Sequence, residues 1–403
     1  MWGVGGRNPP TPHISALTTA YTKESLFIWS RMRVRPIDLG LRRDVWQFVN
    51  FPFSLYRDCP LWVPPLVSEA RNNLNRQKHP FYQHSSAQFY LAESQGQLVG
   101  RIAVMDNRRA NNYRQTQTAF FGFFESVDDQ AAALALFEAA FDWARQRGLK
   151  RIIGTRGLIG TDGGGVLVEG FEHRPALGIP YNFSYYDDLI QAAGFEKDTD
   201  HLSGYARGDH ILPERIERIA ERLRRRNNLW VKSFTSKGEM RQFIPRVTQV
   251  HRQAFAGTHT FYPPSEAEMS VIAETLISIA DPRLIKLAMK GDDVIGFIFA
   301  YPDISAGIQK ARGRLIPLGW YHLLHERKRT DWVNVNGVGL LPAYQGSGAN
   351  TLLYAELAKS ISALGFKHVD VVQVNETNFA SRSDMEAIGV TWYKRHRSYC
   401  RDL

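Results

Sequence analysis

Residues 338–350 read Val-Gly-Leu-Leu-Pro-Ala-Tyr-Gln-Gly-Ser-Gly-Ala-Asn, an apolar run that breaks into a glycine-rich turn and restarts with Leu352 and Leu353 as a helix. A strand that ends this way points free backbone N–H groups at one place, and the helix dipole adds positive charge there. Gln345, Gly346, Ser347, Gly348, Ala349 and Asn350 therefore read as a cradle for an anion, phosphate above all. The loop carries no Lys or Arg, so the donors are the backbone and the Ser347 hydroxyl. Elsewhere, no clustered Cys/His spacing suggests zinc or another metal, no Gly-x-Ser-x-Gly elbow suggests a hydrolase, and there is no compact nucleic-acid motif.

The elements that must hold the cradle follow from periodicity. Val333, Val335 and Val338 recur among Asn334, Asn336 and Gly337 as a strand, Leu353, Leu357, Ile361 and Leu364 form a helical stripe, and residues 369–374 form the next strand. The first half alternates in the same way. Residues 89–92 and 98–104 read as strands joined by a polar turn, 119–124 as a strand, 129–147 as a helix ending at Gly148, and 150–154 as a strand. This is an α/β chain. Landmarks recur in order: Gly100 with Gly296, Gly148 with Gly365, and Asn182 before Gly194 with Asn378 before Gly389. An ordered series argues for duplication. The predicted organisation is a disordered tail over 1–27, a first domain over 28–206, a basic connecting helix over 207–228 that includes Arg222, Arg224, Arg225 and Arg226, and a second domain over 229–403.

A chain of 403 residues with 44% hydrophobic content can bury two cores. A formal charge of +10 by itself leaves nucleic acid, anionic membrane surfaces and anionic cofactors all open as partners. Two cysteines, Cys59 and Cys400, fit a reducing, cytoplasmic setting. No run approaches the roughly 20 apolar residues that cross a bilayer, so the expectation is a soluble or membrane-peripheral protein. The oligomeric state is not legible.

From Val338 through Gly348 the second half resembles the acyl-CoA loop of the GNAT superfamily of N-acyltransferases, Gln345 and Gly348 matching its pattern and Asn350 departing from it. The resemblance runs from about Phe27 to the C-terminus and points to a bacterial tandem-GNAT group that includes the bacterial ceramide synthases. It implies two tandem GNAT-like domains, each a mixed, mostly antiparallel sheet flanked by helices. It implies acetyl-CoA or a longer acyl-CoA as co-substrate, with pyrophosphate on residues 345–350 and the thioester carbonyl held by N–H groups around Val338, Gly339 and Leu340. Asn378, eleven residues before Gly389, matches the asparagine that supports the cofactor arm. Many members carry a tyrosine acid seven residues after that asparagine; here it is Met385, and Tyr393 or Tyr399 are the phenols that could replace it.

Acyl transfer to an amine also needs a proton acceptor. His322, Glu326 and Glu376 are the candidates, while Asn334 and Asn336 could face the acceptor but cannot take its proton. The first half keeps the pattern without the loop. Glu125, Asp128 and Asp129 stand where glycines should, as three carboxylates that would cap the helix and repel pyrophosphate. Its Gly163, Gly164 and Gly165 lack a P-loop lysine, and the aromatic run 181–186 could wall an acceptor cleft between the halves. The reading is an N-acyltransferase acting on an amine, small-molecule or lipid, with a small-molecule or aminoacyl acetyltransferase and a non-catalytic CoA-binding scaffold as alternatives.

Overall fold

The computed structural model describes residues 32–160, 162–209, 212–226, 228–258 and 261–403; the tail expected over 1–27 lies outside them. The first half runs β1 (Met32–Pro36), α1 (Arg42–Leu55), α2 (Val67–Asn73), β2 (Ser86–Ser94), β3 (Gln97–Asp106), α3 (Arg108–Arg114), β4 (Thr118–Ser126), α4 (Gln130–Arg145), β5 (Arg151–Gly154), β6 (Val166–Glu169), α5 (Tyr186–Ala192) and β7 (Glu196–Arg207). Then come α6 (Glu214–Arg226), β8 (Leu229–Ser233), α7 (Lys237–Ala254), α8 (Glu266–Ile279), β9 (Lys286–Lys290) and β10 (Asp293–Pro302). The chain ends with α9 (Ser305–Lys310), α10 (Gly319–Arg329), β11 (Trp332–Leu340), α11 (Ala349–Ala363), β12 (His368–Asn375), α12 (Phe379–Ala387) and β13 (Thr391–Asp402).

Local chemistry accounts for several boundaries. Gln95 and Gly96 both take positive φ, 52° and 78°, which gives the two-residue turn that suits the twist of the strands and closes β2 on β3. Asp129 starts α4, its Oδ1 accepting from the N–H groups of Ala131 and Ala132. Gly148, at φ 72°, follows the end of that helix as expected. Along α4, Ala133, Leu136, Phe137, Ala140, Phe141 and Ala144 are at most 1% exposed, and this face fills the first core with Phe121 and Phe195. On α11, Leu353, Leu357 and Ile361 fill the second core against Val333 and Val369.

All strands lie in one sheet of order β1-β2-β3-β4-β5-β13-β7-β12-β11-β10-β9-β8, with β6 paired to β13. Among the described residues only β4 with β5 and β11 with β12 pair in parallel. The order reveals an exchange. β13, last in the chain, lies beside β5 of the first half, while β7, last of the first half, lies beside β12 of the second. The two then pair with each other from Thr391 opposite Tyr205 to Cys400 opposite Glu196.

The duplication is visible in the backbone. β4 pairs with β5 as far as Phe121, bulges, and rejoins β3 with Ser126 opposite Gly100; β11 pairs with β12 as far as Val335, bulges, and rejoins β10 with Leu340 opposite Gly296. The bulge residues with positive φ are Phe123 (51°) and Gly337 (91°), 214 positions apart (337 less 123), as are Ser126 and Leu340 (340 less 126). A Cβ on Gly100 would stand 2.7 Å from Leu136 and one on Gly296 2.3 Å from Leu340, so each repeat needs a glycine where its strands close under the helix.

The segment read as a connecting helix over 207–228 is narrower and does more than connect. Arg207 still belongs to β7, the helix is Glu214–Arg226, and Ile216, Ala220 and Leu223 are buried. Ala220 and Leu223 join the core with Leu352 and Leu353 at the start of α11.

Candidate functional site

The pairing of β11 with β12 stops at Val335 opposite Val371, although β11 runs on to Leu340 and β12 to Asn375. The strands therefore part at the bulge of Asn336 and Gly337, opening a notch whose β11 wall is Val338, Gly339 and Leu340. These three keep β10 as their partner on one side and lose β12 on the other. Gly339 is confined: a Cβ there would meet Phe297 at 2.9 Å and Ala254 at 3.1 Å.

The glycine loop hangs from the open end of that wall. Pro342–Tyr344 makes a short 3-10 turn, Gly346 and Gly348 take φ of 71° and 82°, and α11 begins at Ala349. Gln345 Nε2 donates to the Leu340 carbonyl at 3.4 Å, tying the loop to its strand. The amides of Gly346 and Gly348 have no acceptor among the described residues, as an anion cradle requires. Two side chains of the loop bond within the protein: Ser347 Oγ, though the residue is exposed, donates to the Tyr344 carbonyl at 2.6 Å, and Asn350 Nδ2 donates one of its two N–H groups to Asp384 on α12. Leu223 of α6 stands 3.1 Å from where a Cβ on Gly348 would be, which places α6 against the loop.

At the apex of the notch the sheet carries a polar row on the face opposite α11. Tyr301 on β10 lies opposite Asn334 on β11, Asn334 opposite Asp370 on β12, and Asp370 opposite Tyr205 on β7. Asn334 is 1% exposed, and among the described residues neither its Oδ1 nor its Nδ2 has a partner; Asp370 is 2% exposed, and its Oδ1 has none among them either. Asp370 Oδ2 is 2.6 Å from Lys394 Nζ. Burial raises the Asp370 pKa against the opposing effects of Lys394 and of a hydrogen bond from Tyr393, and burial pushes the Tyr393 phenol far up. Asn336 Nδ2 donates to Tyr301 Oη at 3.2 Å.

The first half reaches into this row. Arg174, in the segment between β6 and α5, donates through Nη2 to Asp303 Oδ2 at 2.9 Å, and its carbonyl accepts from Lys394 Nζ at 3.2 Å. The His173 ring meets Tyr393 edge-on at 4.8 Å. Gln373 Nε2 on β12 donates to the Gly164 carbonyl at 2.7 Å, so the triple glycine is a close-packed strap against the splayed strand. The aromatic run does not line a cleft between the halves. Phe183 stacks on Tyr56, and Tyr185 and Tyr186 donate to Ser126 and Glu125, all within the first half.

The sequence-derived residues thus fall in different places. Residues 338–340 and 345–350 form one wall and its loop, and Tyr393 joins the polar row. Glu376 lies at the junction of β7 and β12, its carboxylate taken by Lys197 Nζ at 2.8 Å and the Asp200 amide at 2.9 Å. Asn378 caps α12, its side chain accepting from the Ser381 amide. Tyr399 sits in the first core, 1% exposed and bonded to Asp187; six residues along β13 put it about 20 Å from Tyr393. Met385 is buried beneath α11. His322 and Glu326 ride on α10, where Glu326 Oε2 is 3.2 Å from Lys310 Nζ.

The first half has the bulge without the cradle. Phe123 packs its ring against Phe48 and Phe89. Of the three carboxylates expected at the helix start, Asp129 is the cap; Glu125 instead turns inward to the Tyr56 and Tyr186 hydroxyls, each at 2.7 Å, and to Arg101 at 3.5 Å, and burial raises its pKa. The pairing along β3 and β4, with Arg101 opposite Glu125, draws that side chain into the core.

No protein-family model matches the chain. Two curated proteins are similar along almost their whole length. Protein YghO of Escherichia coli K12 is 29% identical over 376 residues, 90% of this chain and 94% of its own. A bacterial ceramide synthase of Caulobacter vibrioides is 27% identical over 364 residues, 89% of this chain and 94% of its own. Among solved structures, a tandem GNAT protein from the clavulanic acid biosynthesis pathway aligns over 92% of this chain and 98% of its own, with a TM-score of 0.53 and 12% identity. A GCN5-related N-acetyltransferase from Anabaena variabilis aligns over 92% and 72%, with a TM-score of 0.50 and 10% identity. The chain has the tandem GNAT fold, and the resemblance read from the sequence is borne out.

Proposed function

We propose that this chain is an acyl-CoA-dependent N-acyltransferase that moves an acyl group from CoA to the amine of a lipid, a sphingoid amine being the chemistry that fits best. The observation that carries the reading is the coupling of a splayed strand pair to a glycine loop with unpaired amides at a helix start. The loop would hold the pyrophosphate through backbone N–H groups, and the β11 wall would polarise the thioester carbonyl.

The polar row supplies the acceptor chemistry. The amine lone pair attacks the thioester carbon, the C–N bond forms, the C–S bond breaks, and one proton leaves nitrogen as the thiolate gains one. Asp370 Oδ1 is the unpartnered acceptor for the amine proton, and Tyr393 is the phenol next to it. The free amide of Asn334 suits a hydroxyl beside the amine. A vicinal amino alcohol would satisfy both. The ceramide synthase similarity supports the same class of acceptor.

A thiol-release assay tests this, pairing acetyl-CoA and palmitoyl-CoA with sphinganine, small primary amines and aminoacyl amines. Release with palmitoyl-CoA and sphinganine is the expected result. Release only with acetyl-CoA and small amines would replace the lipid acceptor, and CoA binding without release from any pair would leave a CoA-binding scaffold.

A further inference from the structure

Eleven large apolar side chains are exposed among the described residues, and five of them crowd into residues 316–324: Ile316 (84%), Leu318 (67%), Trp320 (52%), Tyr321 (55%) and Leu324 (53%). They form the outer side of the turn between α9 and α10 and of the first turns of α10. The inner side of the hairpin is held fast. A Cβ on Gly307 of α9 would meet the His322 carbonyl at 2.8 Å and Glu326 Cβ at 2.9 Å, and Gln309 Nε2 donates to the carbonyls of Pro60 and Trp62, each at 2.9 Å. A rigid hairpin therefore presents a bare apolar edge to solvent, where isolated exposed residues would be ordinary.

Its charge indicates what covers it. Residues 305–329 contain Lys310, Arg312, Arg314, Arg327, Lys328 and Arg329 against one acid, Glu326, which is itself paired with Lys310. Trp and Tyr among aliphatic residues, flanked by cations, suit the boundary between headgroups and acyl chains. α10, at 11 residues, is too short to span a bilayer. The patch continues toward α1, where Trp46 is 56% exposed one turn from Asn50, the residue that meets Arg314.

We propose that the α9–α10 hairpin seats the protein on the surface of an anionic lipid bilayer. α10 leads within three residues into β11 (Arg329 to Trp332), the strand that carries Asn334. The docking does not depend on the acyl-transfer reading.

The test is flotation of the full chain with vesicles of phosphatidylcholine alone and of phosphatidylcholine with phosphatidylglycerol, at low and raised salt. Partition should favour the anionic vesicles and weaken with salt. Trp320→Ser with Leu324→Ser, and separately Lys328→Glu with Arg329→Glu, should each weaken partition at least tenfold, with circular dichroism and CoA calorimetry unchanged. No partition of the wild-type chain, or partition that neither pair reduces, overturns the proposal. So does a dimer in sedimentation that the same pairs dissociate while vesicles stay unbound, since a second copy would then cover the face. CoA calorimetry reports on the other site, so either proposal can fail alone.

Discussion

Asp370 Oδ2 and Lys394 Nζ lie 2.6 Å apart with 3% and 1% of their side chains exposed, so neutralising one strands the other in a medium that cannot solvate it. Asp370→Asn should cost about 3 kcal/mol of stability for that reason. Adding Lys394→Met removes the stranded charge and should restore most of the melting temperature. Turnover should fall on the order of 100-fold in both variants, because neither restores a proton acceptor facing Asn334. Turnover within twofold of wild type in the double variant would take Asp370 out of the reaction. His322→Ala, on the hairpin, should keep turnover within about twofold, and a larger loss would make His322 a base candidate again. The sequence disclosed Asn334 through its alternation with valines, and Tyr393 through the position left open by Met385. It could not disclose Asp370, Asp303 and Arg174 as one cluster. They come from three distant segments, joined in the fold by the Arg174–Asp303 pair and by Lys394, which meets both Asp370 and the Arg174 carbonyl.

At the scale of elements, the two bulges share a geometry but lead into different structures. After Gly337 come a glycine loop and a helix whose start is free; after Phe123 the chain turns directly into a helix capped by Asp129. The notch of the first half is closed by rings and by the Glu125 cluster. Calorimetry should therefore find one CoA site per chain, and two would refute the assignment of a spent first copy. Gly348→Ala should weaken that site about tenfold, because its φ of 82° strains any residue with a Cβ and Leu223 is only 3.1 Å from where it would go. An affinity unchanged by this substitution would mean that the loop does not hold the cofactor. Most of these elements were legible, since strand alternation, helix stripes and glycine stops are local signals. The roles of α6 and of the glycine strap were not. A basic helix reads as solvated until Ala220 and Leu223 are seen against Leu352, and a run of glycines reads as a free turn until Gln373 is seen bonded to Gly164.

The whole molecule is governed by the exchange of its last strands, which periodicity cannot show because it says what is a strand and not which strand lies beside it. Ending the chain after Val390 would remove β13 from between β5 and β7 and should unfold both halves together. A soluble, cooperatively melting product would contradict that. The same junction should make stability depend on pH. His396, on β13 opposite His201, is 0% exposed and donates through Nε2 to the Pro180 carbonyl; burial lowers its pKa to about 4, as burial does for His251 on α7. In the unfolded chain each takes a proton near pH 6.5, so the unfolded state binds more protons below that value, and stability falls as pH drops from 6.5 toward 4. At pH 5 the loss is about 2 kcal/mol per histidine, or roughly 2 °C in melting temperature each for a chain of this size. Asp200, on β7 opposite Arg397, acts in a later window. Burial would raise its pKa, but hydrogen bonds from Arg397, Lys197 and Arg395 outweigh it and hold the value at about 2, so its contribution persists above pH 4 and is lost between 4 and 2. Melting curves from pH 8 to 5 should show the histidine slope, and His396→Gln, which keeps the donor to Pro180 and cannot charge, should make it shallower. An unaltered slope in that variant would mean that the exchanged strands are not where acid first loosens the molecule.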